Sequence, residues 1–225
     1  MNIKERLMED LHLPGPIADI VYVIVVVGAI SLISQIVLGL WTPMVAVESG
    51  SMVPNLNIGD IVVVQGMSRT EVIPWDQAEL TNYTAFNKPG DVILYRPYGK
   101  ERIGLLDQIQ MLILRTPPPT NKATPIIHRA LRYVEQGQPM WEGGPQAPFD
   151  GYITKGDHNS IIDQRAGQIV GVSNGSYIVE GISYLTPVKK EWVIGVARFN
   201  IPLVGYVRLI PNIINDEIHK LLGAS

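Results

Sequence analysis

Cysteine is absent from the 225 residues. That excludes disulfide staples, thiol nucleophiles, iron–sulfur clusters and cysteine-ligated zinc. It leaves the redox compartment open, because a cysteine-free chain is stable on either side of a membrane. Excess positive charge is absent as well. The 18 Lys and Arg stand against 21 Asp and Glu, for a net charge of −3, so there is no electrostatic footprint for nucleic acid. Charged residues make up only 17% and apolar ones 46%, too apolar a balance for a disordered chain. No long amphipathic helix pattern and no internal repeat stand out. What remains has the size of one ordinary domain with an appendage.

The appendage is near the N-terminus. Residues 20–40 read IVYVIVVVGAISLISQIVLGL, 21 residues without a charge. A helix of that length spans roughly the 30 Å hydrocarbon core of a bilayer. A single spanning segment must pair its backbone groups internally, so a helix is the only option. A cleaved signal peptide is the competing reading, but its apolar core is shorter and its flank more basic. A buried core helix is the bland reading; length and lack of charge favour spanning. Lys4 and Arg6 precede the run, and the next Lys or Arg is Arg69. The positive-inside rule then predicts a cytoplasmic N-terminus over 1–16, a signal-anchor helix over 17–41 and an exported remainder.

From Thr42 onward short apolar runs alternate with Gly, Pro, Asn and Asp. Runs at 61–65, 91–95, 126–133, 152–154, 168–172 and 192–199 are rich in Val and Ile and bounded by turn residues, which predicts strands. The expected fold class is mostly β: a coiled antiparallel sheet over 42–200, on a single transmembrane helix. Residues 68–88 read as a loop or insertion, and 136–150, rich in Gly and Pro, as an exposed loop. Residues 115–124, with Pro117, Pro118 and Pro119, read as an extended segment. The end, 201–225, reads as an apolar last strand or an interfacial segment.

Three parts carry the chemistry the pattern allows: a hydroxyl, a base and a carboxylate. Ser51 lies between Gly50 and Met52, with Pro54 close behind, in a sharp turn soon after the anchor. Serine is a poor nucleophile unless a base takes its proton. Of the four histidines, His12 precedes the anchor, His219 lies among polar residues at the end, and His158 sits in a turn-like run. His128 follows Ile126 and Ile127 on a predicted strand, a rigid platform for a base. Asp157 and Asp163 share one Gly- and Asn-containing loop and supply a carboxylate to orient it. The plain reading is a pair of turn-forming aspartates. The loop lacks the alternating oxygen ligands of a Ca²⁺ site, and His128, Asp157 and Asp163 have no recognised zinc spacing. No metal or cofactor is expected.

Taken together the blocks become specific. Behind one anchor come Val47-Glu48-Ser49-Gly50-Ser51-Met52-Val53-Pro54, Gly59-Asp60-Ile61-Val62, Gly90-Asp91-Val92-Ile93, Ile127-His128-Arg129 and Lys155-Gly156-Asp157-His158-Asn159 with Asp163 following. This order resembles type I signal peptidase, in the archaeal and endoplasmic-reticulum branch, where histidine stands in place of the bacterial lysine. The resemblance runs from about 16 to 211, with 68–88 and 136–150 unmatched. It implies Ser51 as nucleophile, His128 as general base, Asp163 as the supporting aspartate and Asp157 as the second aspartate of that block. Ser49 and the Ser51 backbone N–H would form the oxyanion hole. His158 and Ile162 depart from the family pattern, which often has Asn and an acid there.

The resemblance further implies a serine endopeptidase that removes N-terminal signal peptides after small residues. Its partners would be preproteins, the lipid bilayer and the protein translocation channel. Its place would be the plasma membrane of an archaeon in preference to the endoplasmic reticulum. Histidine, unlike lysine, needs little tuning to act as a base near neutral pH, so activity should fall on acidification. The rival reading is an inactive, membrane-tethered β domain that scaffolds exported proteins.

Overall fold

The computed structural model describes residues 15–114, 119–173 and 176–205. The chain divides into two compact units, with the boundary between Pro43 and Met44. The described part of the first is helix α1, Gly15–Leu38, with residues 39–43 after it. At 1.5 Å per residue its 24 residues measure about 36 Å. Its large apolar side chains, such as Ile24 and Ile33, are exposed all round, and it is long and apolar enough to cross a membrane. Gly39, at φ 72°, ends it with a backbone bond from its N–H to the Gln35 carbonyl.

The second unit is built on a six-stranded sheet. Its strands are β1 (Met44–Ala46), β2 (Ile61–Gly66), β5 (Val92–Tyr95), β8 (Ile126–Val134), β9 (Gly151–Lys155) and β12 (Val193–Ile201). The order is β1-β2-β12-β5-β8-β9, with every neighbouring pair antiparallel. The sheet is open, with β1 and β9 at its edges among the described residues. Shorter pairs surround it: β3 (Thr84–Ala85) with β4 (Lys88–Pro89), β6 (Glu101–Arg102) with β7 (Lys122–Ala123), and the hairpin β10 (Gln168–Ser173) with β11 (Ser176–Glu180).

Side chains alternate across a strand, and directly opposed residues share a face. Ile93, Tyr95 and Ala130 therefore project together, and with Val72, Tyr152, Val188, Val193 and Val196 they form the main core. Ile153 points the other way and packs with Val134, Met140 and Ala147.

That second cluster adds to the reading of 136–150 as an exposed loop: most of the segment is exposed, but Met140 and Ala147 are core. Met140 is 1% exposed, and the Met140 N–H bonds the Pro145 carbonyl. Gly and Pro fold the segment back on itself so that Met140 and Ala147 cover the sheet. Residues 68–88 are likewise more than loop. They hold helix α2, Trp75–Thr81, started by Pro74 and stopped by Asn82 in the left-handed region at φ 54°. Seven residues are too few for a hydrophobic period to register in sequence. Helix α3, Leu105–Leu114, was not anticipated. Asp107 reaches back to the Gly104 N–H and to Lys122 at its start. Of the extended segment, 115–118 lies outside the described residues. So does the expected C-terminal segment from 206 on; β12 closes at Ile201 and a turn occupies 202–205.

Candidate active site

Ser51 sits in a single 3-10 turn, Gly50–Met52, that follows β1. The turn is pinned from beneath. Met52 is fully buried, and the His158 N–H donates to the Ser51 carbonyl at 2.9 Å. Gly156 lies against the same carbonyl: a Cβ on Gly156 would come within 2.6 Å of that oxygen and 2.8 Å of Asn159 Nδ2. The Gly-Asp-His run therefore needs glycine for close approach rather than for a special backbone angle.

His128 lies on β8 opposite Ile93. Its Nε2 is 2.9 Å from Ser51 Oγ and its Nδ1 is 2.7 Å from Asp163 Oδ2. A carboxylate only accepts, so Nδ1 carries the proton and Nε2 is free to accept from the serine hydroxyl. His128 is 2% exposed and Asp163 1%. Ser49 Oγ is 3.3 Å from Ser51 Oγ. With the Ser51 proton aimed at the imidazole, the Ser49 hydroxyl is the donor of that pair.

Asp163 Oδ2 takes two further bonds, from Thr154 Oγ1 at 2.7 Å and from the Tyr95 hydroxyl at 3.1 Å. The register explains the convergence. Tyr95 is opposite Ile126 and Thr154 opposite Ala130, so both stand on the His128 face of the sheet. Burial, and then the charge of Asp163, push the Tyr95 phenol well above its usual value near 10, so it remains a donor.

Asp157 belongs to a different network. Arg129, next to His128, points to the opposite face and is 1% exposed. Its Nε and Nη2 grip Asp157 at 2.8 and 2.7 Å, and its Nη1 donates to the Ala85 and Gly90 carbonyls. Asp157 also accepts from Asn55 Nδ2 at 2.7 Å. Burial alone would raise the Asp157 pKa; the Arg129 bonds and charge, with help from Asn55 and Lys88, outweigh it and hold the carboxyl below its usual range. Ser51, His128, Asp163 and Ser49 thus come together, and Asp157 braces the turn that carries the serine.

Sequence reasoning missed Tyr95, Thr154, Arg129 and Asn55. One signal was present: a Tyr closing the apolar run Val92-Ile93-Leu94 needs a partner for its hydroxyl, and Thr154 directly follows the apolar Ile153. Arg129 stood in plain view beside His128, but which face it used depended on pairing.

Beside the serine is a cleft of about 420 Å³, between β1 and the start of β8. Val45, Ala46, Leu94 and Ile127 give it apolar lining, and Ser49, Ser51 and His128 line it as well. A second groove, sharing Thr124, Ile126 and Ile182, continues it. Chemically, the arrangement presents a hydroxyl aimed at a base, a carboxylate behind the base, and a donor beside the hydroxyl. No family model matches this chain, and a search of curated proteins finds no match either.

Proposed function

We propose that the protein is a membrane-anchored serine endopeptidase that cuts signal peptides from exported preproteins. The observation that carries this reading is the unbroken hydrogen-bonded series Ser51–His128–Asp163, at 2.9 and 2.7 Å, opening on an apolar cleft.

In this reading Ser51 Oγ attacks the carbonyl carbon of the residue before the cut while His128 Nε2 takes its proton. The Ser51 N–H and Ser49 hydroxyl hold the oxyanion. The imidazolium then gives its proton to the leaving amine, and the acyl-enzyme remains. Water, deprotonated by the same Nε2, releases the cleaved signal peptide and restores Ser51. The substrate adds as an extended strand in the cleft, where β1 is a sheet edge. The apolar lining suits the small side chains that the signal-peptide reading places next to the cut, and the continuing groove gives room for several residues. Helix α1 acts as a signal anchor, with Lys4 and Arg6 on the cytoplasmic side and the catalytic domain outside. The plasma membrane of an archaeon, with preproteins delivered by the translocation channel, is the setting that the sequence resemblance favours.

The test is cleavage of a model preprotein by the detergent-solubilised chain and its Ser51→Ala and His128→Ala variants. Wild type should release the mature protein, and both variants should fold and fail. Equal processing by wild type and Ser51→Ala would defeat the proposal and favour a scaffold role.

A further inference from the structure

The Tyr95 and Thr154 hydroxyls are spent inside the protein on one carboxylate oxygen. A carboxylate taken out of water is costly unless its oxygens receive hydrogen bonds. Asp163 Oδ2 receives three, from His128 Nδ1, Thr154 Oγ1 and the Tyr95 hydroxyl. The direction of each is fixed. Gln164 is fully buried; its Oε1 accepts from the Thr154 N–H at 3.0 Å, and its Nε2 points at Thr154 Oγ1 and the Thr186 carbonyl, each 3.4 Å away. Thr154 Oγ1 therefore accepts from Gln164 and has its own proton free for Asp163. Tyr95 is fully buried, and its ring belongs to the core, so its hydroxyl has no solvent to turn to.

We propose that Tyr95 and Thr154 are positioning residues which, through Asp163, hold the His128 ring and its Nδ1 proton so that Nε2 stays free to accept from Ser51. The proposal rests on the peptidase reading for its catalytic meaning, and on the geometry alone for its effect on the imidazole. The hydroxyl bonds are strongest when the carboxylate carries its full charge beside a neutral ring. They weaken when an imidazolium shares that charge. They therefore favour the unprotonated pair, which is the form that can accept a proton from serine. Removing either hydroxyl makes the pair easier to protonate.

Other charges surround His128. Glu48 and Arg102 share its cleft, Arg129 and Asp157 pair on the opposite face, and Lys155 and His158 lie toward the end of β9. Tyr95→Phe and Thr154→Val leave all of these in place, so a change in titration reports the link through Asp163.

The experiment uses the full chain in detergent, as wild type, Tyr95→Phe, Thr154→Val and Thr154→Ser. It reads the pH profile of kcat/KM on a model preprotein, and the pH titration of the His128 ring ¹⁵N signals without substrate. Expected for Tyr95→Phe and Thr154→Val is a shift of the acid limb and of the ring titration to higher pH by about 0.5–1 unit, an about three- to ten-fold gain in proton affinity. KM should hold, and Thr154→Ser should titrate as wild type. Rates lowered equally at every pH, with the ring titration unmoved, would make the two residues merely structural and overturn the proposal. A shifted ring titration in a chain that cleaves no preprotein would uphold the positioning role and sink the peptidase reading. If Thr154→Val fails to fold, Tyr95→Phe, which keeps the ring in the core, decides alone.

Discussion

Gly156→Ala tests whether the serine turn is held by the loop it touches. The added methyl would stand 2.6 Å from the Ser51 carbonyl oxygen, where ordinary contact begins at 3.4 Å, so one of the two must retreat by about 0.8 Å. The loop has little freedom, since Asp157 is gripped by Arg129 and Asn55. The serine turn therefore moves, and the bond from the His158 N–H is stretched or lost. Overpacking of this kind costs about 1–3 kcal/mol of stability. A misplacement near 1 Å at a reacting group costs on the order of 100-fold in rate. Gly50, adjacent to Ser51, is the informative control for folding, because a Cβ there meets only Val53 Cγ2 at 3.8 Å. The assay is denaturant unfolding followed by tryptophan fluorescence, with preprotein cleavage on the same samples. Gly156→Ala should lose stability and about two orders of magnitude in kcat, and Gly50→Ala should unfold within about 0.5 kcal/mol of wild type. Wild-type cleavage by Gly156→Ala would refute the idea that the loop sets the serine's position.

Asp157→Asn strands the buried Arg129 charge and should cost about 3–5 kcal/mol at pH 7 by denaturant unfolding. The carboxyl pKa is depressed in the folded state, so its contribution is present above the unfolded value near 3.9 and is lost as pH falls through the folded value below it. The gap between wild type and variant should accordingly shrink below about pH 4; an unchanged gap at pH 3 would rule this out. If the proposed peptidase reading holds, Ser49→Ala should lower kcat about 100- to 1,000-fold with little change in KM, read by steady-state kinetics. Met140→Ala empties part of the second core and should cost about 2–5 kcal/mol, while cleavage per folded molecule is unchanged.

Five of the six strands of the main sheet were legible because each holds an apolar run closed by turn residues, and the runs at 61–65, 126–133 and 152–154 fall on β2, β8 and β9. Strand β1 and the two-residue strands β3, β4, β6 and β7 were not, because two or three residues give no alternation to read. Helix α1 was legible from its length and lack of charge. Helix α2 was not, because two turns give too little periodicity, and the Met140 fold-back was not, because its glycines and prolines look like those of any loop. The two aspartates looked alike in sequence. Their separation into one that faces His128 and one that faces Arg129 depends on the pairing of β8 with β5 and β9, which no local pattern states. The same holds for Tyr95 and Thr154, which lie 59 residues apart in sequence and meet at one Asp163 oxygen only through that pairing.

Strand β8 sends His128 to one side and Arg129 to the other, and the alternation leaves no intermediate arrangement. A one-residue insertion or deletion between Ile126 and His128 would reverse which side each of them takes. Imidazole and guanidinium would trade sides in a single step, stranding Asp163 and Asp157 together. Natural variation in this protein should therefore accumulate as length changes in 136–150 and as substitutions in β8, with the spacing inside that strand left untouched.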